Sequence, residues 1–278
     1  MANADCSSSY HEAIHTLRKS FGVNGISVKF EMIPTVMCLT LAETMQAIYQ
    51  RQPVFLAIPA WIDTPFSIFD PSLMQQLLNE AVKLPSLLQQ ADKVIKSPEL
   101  NHAEVSQVLD LFINFALRLD NWETTLFVDG SPPYWPHGDA EDTPLPFWYP
   151  NVTIANAFTH LWALKIICMK EMKQLATYLP HDLLRESLSA RRLHVGLAEN
   201  DLLMIVLARQ IHLSVEFLLQ DEMELFGPAS TFFPLKVAYQ TFKMSGVGYE
   251  VDIACIESIL DRLDRKGLLS ARSFVVNW

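Results

Sequence analysis

Cysteine is scarce in this sequence, and none of it is paired. Four cysteines, Cys6, Cys38, Cys168 and Cys255, lie far apart among 278 residues. No Cys-x-x-Cys occurs, which excludes an encoded zinc cluster and points to free, mostly buried thiols of an intracellular protein. Positive charge is also short: 21 Lys and Arg face 31 Asp and Glu, a formal net charge of −10, with no basic cluster longer than Arg191-Arg192. Nucleic-acid affinity rests largely on Lys and Arg neutralising phosphates, so direct nucleic-acid binding by this chain is excluded as an expectation. Only nine glycines and few alternating Val/Thr-rich runs argue against an all-β fold. Residues Met1 to Ser20 are polar and contain His11, His15, Arg18 and Lys19, so no apolar signal region is expected. The most apolar long run, Leu202 to Leu219, is interrupted by Arg209, His212 and Glu216, which argues against a membrane span. There is no Gly-x-Ser-x-Gly elbow and no Asp-Asp-x-x-Asp, and Gly246-Val-Gly248 is too short for a nucleotide loop.

What is present favours helices. Hydrophobic residues make up 50% of the chain and charged residues 19%, with a mean hydropathy of +0.16. That composition supports a large core and little disorder. Long Leu/Met/Ala-rich segments predict an all-α fold, a single large irregular helical domain over residues 10–278 behind a frayed tail at 1–9.

Helices are expected from about Tyr10 to Phe21 and from Val36 to Gln50. Asp70 as N-cap with Pro71 at N1 predicts a third start, with Leu73, Leu77, Leu78 and Ala81 on its apolar face and Pro85 within or just after it. Asn101 caps a helix carrying Val105, Val108, Leu109, Phe112, Phe115 and Leu119 at helical spacing, with Trp122 near its end. Residues 129–150 hold six prolines, which exclude regular structure, and five aromatics that need cover: Tyr134, Trp135, Phe147, Trp148 and Tyr149. Helices then follow from Asn151 to Leu179, from Asn200/Asp201 to Phe226 with Gly227-Pro228 as terminator, from Phe232 to Lys243, and from Val251 to Gly267. The Asp201–Phe226 helix is apolar nearly all round and is expected to be the central buried one.

The stretch Arg51-Gln-Pro-Val-Phe-Leu-Ala-Ile-Pro-Ala-Trp-Ile-Asp-Thr-Pro-Phe66 cannot be one continuous helix, because Pro53, Pro59 and Pro65 lack an N–H and fix φ. Val54, Phe55, Leu56, Ile58, Trp61 and Phe66 are too apolar for a solvated linker, so an ordered connector over a helical core is expected. Its Arg-x-Pro-x-Phe-Leu and Pro-x-Trp pattern, followed by Leu84-Pro-Ser-Leu-Leu88, resembles the fungal-specific transcription factor domain, the helical regulatory region of zinc binuclear cluster transcription factors. Two later blocks are similar to the same family: Ala155-Asn156-Ala157 with Trp162-Ala163, and Leu207 to Phe217 with its Ser214-Val-Glu-Phe217 step, followed by Pro234-Leu-Lys-Val-Ala238. Together the resemblance covers roughly residues 36–265. It implies transcriptional regulation in a fungal nucleus, but the family's cysteine-rich zinc head and basic linker have no counterpart here.

Several side chains are candidates for a site. Arg209, His212 and Glu216 fall on roughly one helix face, where they would either line a ligand cavity or form an ion-pair network. In a cavity, His212 would serve as acid or base and Arg209 as anion holder. Asn156 and His160 lie one turn apart and could face the same cavity, or His160 could be a satisfied core histidine. Trp135 and Trp148, with the other loop aromatics, could wall an apolar pocket or simply pack the loop on the core. His11-Glu-Ala-Ile-His15 matches His-Glu-x-x-His, but Arg18 and Phe21 stand where a metzincin needs Gly and His. Glu31 or Glu43 as third ligand lies in no recognisable pattern, so no metal site is expected. Asp139, Glu141 and Asp142 read as solvated loop charges or, less simply, as a general-acid pair.

The leading functional expectation is a stand-alone regulatory module without its own DNA-binding head. It would bind an apolar small molecule or another regulatory protein, need no cofactor, and leave homodimerisation open. Trp135, Trp148, Asn156, His160, Arg209, His212 and Glu216 are its expected contacts. The alternative is a metal-free and cofactor-free enzyme of a fungal natural-product pathway, catalysing a cyclisation, pericyclic reaction or isomerisation with His160, Arg209 and His212. A regulator would reside in the nucleus, an enzyme in the cytoplasm. A gene fragment without independent function is a third option.

Overall fold

Proline and capping residues set where helices begin in this chain. The structure, a computed structural model, describes residues 32–63, 66, 70–127, 129–138, 144–180, 182 and 197–276. The expected Tyr10–Phe21 helix, the His-Glu-x-x-His motif, the Asp139/Glu141/Asp142 group and nearly all of residues 181–196 lie outside those residues. Among the described residues the protein is all-α apart from one two-stranded ribbon. The chain divides into two compact units, 1–41 and 42–278, with the boundary inside helix α1 (Met32–Gln50). Everything that follows concerns the second unit.

The proline-rich connector forms a 3-10 turn at Phe55–Ala57 and then a short helix α2 (Pro59–Asp63). Val54 and Leu56 are buried with Ala47 and Val82, and Phe55, Ala57, Trp61 and Ile62 pack against them. Ile58 instead points to solvent, 53% exposed. Helix α3 (Leu73–Ala81) corrects the expected start. Ser72, not Asp70, is its cap, and the Ser72 hydroxyl accepts from Gln75 N at 3.3 Å. A short hydroxyl in extended backbone satisfies an orphan N–H of the first turn, and Pro71 stands before the cap. Pro85 also takes a different role: it sits in the first turn of a separate helix α4 (Leu84–Ile95), where its missing N–H costs nothing.

Asn101 caps α5 (His102–Thr124) through Ala103 N, and Asn151 caps α6 (Val152–Ala176) through Ile154 N, each at 3.0 Å. Between them the Pro-rich loop contains a minimal antiparallel ribbon, β1 (Trp135–Pro136) on β2 (Phe147–Trp148), pairing Trp135 with Trp148 and Pro136 with Phe147. Prolines therefore shortened regular structure here without abolishing it, since an edge position needs no N–H from Pro136.

The central helix is α6, not the one expected. Every residue from Ile154 to Leu164 is buried. Its length and hydropathy would suit a membrane span, but the enclosure of its apolar residues by α3, α5, α7 and α9 accounts for its composition. Helix α7 (Leu197–Leu218) keeps an exposed stripe through Leu202, Val206 and Arg209. It starts before Asn200, so Asp201 lies inside it, with its carboxylate held by Lys173 at 2.6 and 2.7 Å.

Helix α7 stops at Leu218, and a 3-10 turn at Asp221–Met223 leads to the short α8 (Phe226–Ser230). Gly227 is thus within α8 and is no terminator. A Cβ there would meet Leu218 O and Met223 Cβ at 2.5 Å, so glycine is required by close approach. Helices α9 (Phe232–Met244), α10 (Glu250–Arg265) and α11 (Ser270–Val276) complete the unit.

Candidate functional site

The residues singled out from sequence fall at three places. The first is the face of α7 toward α10. Arg209 donates from Nε and Nη2 to the two carboxylate oxygens of Asp252, both at 2.9 Å, and its guanidinium lies 5.8 Å from the Tyr249 ring centre. Glu216 accepts from Arg262 Nη1 at 2.5 Å and Nη2 at 3.1 Å. Both pairs tie α7 to α10, and the Arg209 side chain remains 45% exposed. The bond to Asp252 holds the Arg209 pKa above its ordinary value. His212 lies between them in sequence, half-buried, with its ring 6.0 Å from Phe242 and Nδ1 without a hydrogen-bond partner. Burial lowers its pKa, Asp252 opposes the shift and Arg209 adds to it.

The second place is the aromatic loop. Tyr134 packs on Phe147, Tyr149, Phe158 and Trp162 with centroid distances of 5.0, 5.6, 5.2 and 5.6 Å. Trp148 stacks on His137 at 4.3 Å and meets Phe217 edge-on at 5.9 Å. Trp135 is 46% exposed. Ser214 donates to the Gln210 carbonyl at 2.6 Å, so the Tyr149 hydroxyl, 2.6 Å from Ser214 Oγ, must be the donor of that pair. Burial pushes the Tyr149 phenol far above its ordinary pKa. These contacts bind the loop to α6 and α7.

The third place is the face of α6 toward α8 and α9. Asn156 and His160 are both 1% exposed. His160 Nδ1 lies 2.8 Å from the Asn156 backbone oxygen, and the ring stacks on Phe233 at 5.9 Å and 20°. A carbonyl oxygen only accepts, so Nδ1 carries the proton and Nε2 is a bare lone pair. Burial pushes the His160 pKa down to about 4, against the opposing pull of that backbone bond, so the ring is neutral at pH 7. Nε2 has no partner, nor does the Asn156 Nδ2. The Asn156 Oδ1 lies 2.5 Å from Ser230 Oγ, which is also 2.6 Å from the Gly227 carbonyl.

Asn156 and His160 are therefore together, but not with the Arg209 group, which points toward another helix. Ser230 and Phe233 complete the Asn156/His160 surroundings and were not legible: a serine and a phenylalanine 74 and 73 residues downstream of those partners carry no local signal. An open hollow of about 600 Å³ at the start of α5 is lined by Ser97, Glu99, Leu100, Asn101, His102 and Glu104; there Asn101 caps the helix and bonds Glu104, Ser97 bonds the Glu99 carbonyl, and His102 Nδ1 bonds Tyr178 O. Among the described residues no group of three or more His, Cys, Asp or Glu could hold a metal ion. Comparison with protein-family models, with curated proteins and with solved structures gives no match for this chain.

Proposed function

We propose that the chain is a helical regulatory module that does not bind DNA unaided and acts by docking on another regulatory protein, in keeping with its resemblance to the regulatory region of zinc binuclear cluster transcription factors. The observation that carries this reading is the apolar surface around the Arg209–Asp252 pair. Val206, one turn before Arg209, is 42% exposed; Val251, beside Asp252, is 77% exposed; Val247, in the turn leading to it, and Met244, at the end of α9, are 94% and 75% exposed. Grouped apolar side chains bordered by charge gain free energy from being covered, and such surfaces mark protein interaction sites. Arg209, expected as an anion holder, and Glu216, expected as a ligand contact, are both engaged with α10, which favours a structural and binding role for this face. The net charge of −10 supports a protein partner over nucleic acid.

The test is affinity capture from a fungal nuclear extract with the wild-type chain and with a Met244→Glu, Val247→Glu, Val251→Glu variant. These exposed positions tolerate charge without unfolding. Capture of a transcriptional regulator by the wild type and its loss in the variant is the expected result. Equal capture by both, or capture of no regulator by a folded wild type, overturns the reading.

A further inference from the structure

The turn between α5 and the aromatic ribbon holds the one aspartate of this chain that is followed by glycine, Asp129-Gly130, and both residues are exposed. Their backbones are left-handed in succession, with φ of 49° and 77°. Glycine adopts that conformation freely, whereas Asp129 holds it against the crowding of its own Cβ. Among the described residues, neither the Gly130 N–H nor the Asp129 carboxylate has a hydrogen-bond or ion-pair partner. Nothing lies within 4 Å of the position a Cβ would take at Gly130, so that side of the turn is open as well.

These are the conditions under which an aspartate side chain reacts with its own backbone. The carboxyl carbon of Asp129 and the nitrogen of Gly130 are placed by covalent structure to close a five-membered ring. When Gly130 N bonds to Asp129 Cγ, the carboxyl, protonated from solvent, loses its hydroxyl together with the amide proton as water, and a succinimide remains. Water then adds at either carbonyl and returns the proton. Addition at Cγ breaks the new bond and restores aspartate. Addition at the main-chain carbonyl carbon breaks the original peptide bond and leaves the chain running through Cβ, as isoaspartate. The water lost in the first step is regained in the second, so no further reactant is needed. Aspartates inside helices are held back. Asp110 in α5 and Asp261 in α10 are followed by Leu111 and Arg262, whose nitrogens belong to a helical backbone and carry a side chain beside them.

We propose that Asp129 is a site of spontaneous isomerisation to isoaspartate in the folded protein, through a succinimide closed by Gly130 N. This modification is independent of the docking surface around Met244, Val247 and Val251.

The test is incubation of the folded full chain at neutral pH in ¹⁸O-labelled water, beside a synthetic peptide of residues 126–133, followed by digestion and mass mapping. Hydrolysis of the imide fixes ¹⁸O in either product, and isoaspartate resists a protease that cleaves before aspartate. The expected result is ¹⁸O uptake at Asp129 within about tenfold of the peptide's rate, as befits an exposed turn, and none at Asp110 or Asp261. Gly130→Ala should slow the uptake about fivefold or more, since the methyl hinders the nitrogen and restricts the turn. Asp129→Asn should speed ring closure, because ammonia leaves an amide more readily than water leaves a carboxylate. Slower uptake than that range overturns the inference, since the fold would then hold the step closed. So does uptake that Gly130→Ala leaves unchanged, or uptake spread equally over Asp110, Asp129 and Asp261.

Discussion

Arg51 clasps Glu171 with two parallel hydrogen bonds, Nη1 to Oε1 at 2.7 Å and Nη2 to Oε2 at 2.8 Å, across 120 residues of sequence. The same guanidinium reaches Asp92 at 2.8 Å and the Leu88 carbonyl at 3.3 Å. One side chain thus ties the end of α1 to α4 and α6. The bond to Glu171 is the chief cause that holds its pKa above the ordinary value. Its backbone is unusual as well. Arg51 has φ of 52°, its N–H bonds to Ile48 O at 3.2 Å, and Gln52 N bonds to Ala47 O at 3.1 Å. This is a Schellman ending with arginine where glycine is usual. The chain carries the left-handed strain of about 1 kcal/mol and keeps the guanidinium.

Arg51→Ala should therefore lower stability by about 2–3 kcal/mol, because Glu171 is left largely buried without its partner. Arg51→Gly should cost about 1 kcal/mol less, since it loses the same bonds but relieves the backbone. Arg51→Lys should fall between wild type and alanine, as an ammonium cannot make the fork. Urea denaturation of the four proteins gives the order directly.

Gly227→Ala should destabilise by about 2–3 kcal/mol or more. The new methyl would press on the Leu218 backbone oxygen and on Met223 Cβ, and a backbone atom cannot swing aside. Gly246→Ala offers a contrast. It meets open space and bears only the strain of its φ of 86°, so about 1 kcal/mol is expected. Thermal unfolding of both variants measures the difference.

Stability should fall in mild acid through His160. Its folded pKa is depressed to about 4, below the usual 6.5 of an exposed imidazole. Above pH 6.5 both folded and unfolded rings are neutral and nothing is lost. As pH falls from 6.5 to 4 the unfolded chain takes up a proton that the folded one refuses, so unfolding gains on the order of 3 kcal/mol. His212, whose pKa is also lowered, adds to the loss. Carboxylates such as Asp92, lowered by its Lys96 and Arg51 partners against the opposing effect of burial, lose their pairing in more acid solution. Denaturant midpoints at pH 7 and pH 4.5 for wild type and His160→Phe isolate the histidine part, which the variant should lack.

Arg209→Ala should cost no more than about 1 kcal/mol. Its pair with Asp252 is bidentate but half-open to water, where ion pairs contribute little. A much larger loss, measured by urea titration at low and high salt, would mean that the pair fixes the α7–α10 arrangement more strongly than its exposure implies.

The local signals that were legible are those satisfied within one turn. Asn101 and Asn151 cap their helices as their spacing requires, and no helix continues through Pro53. Asp70 misled because Ser72 competes for the same task two residues later. The helix period of Asp201–Phe226 looked apolar all round, yet Leu202 and Val206 face solvent. Apolar composition tells how much surface a helix could bury and not which neighbours arrive to bury it.

By itself the sequence determined the helical class, the starts of α5, α6 and α9, and the acidic character of the chain, because these depend on composition and on bonds within a few residues. Only the tertiary structure decided that Arg51 meets Glu171, that Gly227 must lack a side chain, that Arg209 and Glu216 turn toward α10, and that Asn156 and His160 share the interior with Phe233. Those contacts join residues that are 43 to 120 positions apart in the chain, or depend on backbone approaching backbone, and neither leaves a period or a spacing to read.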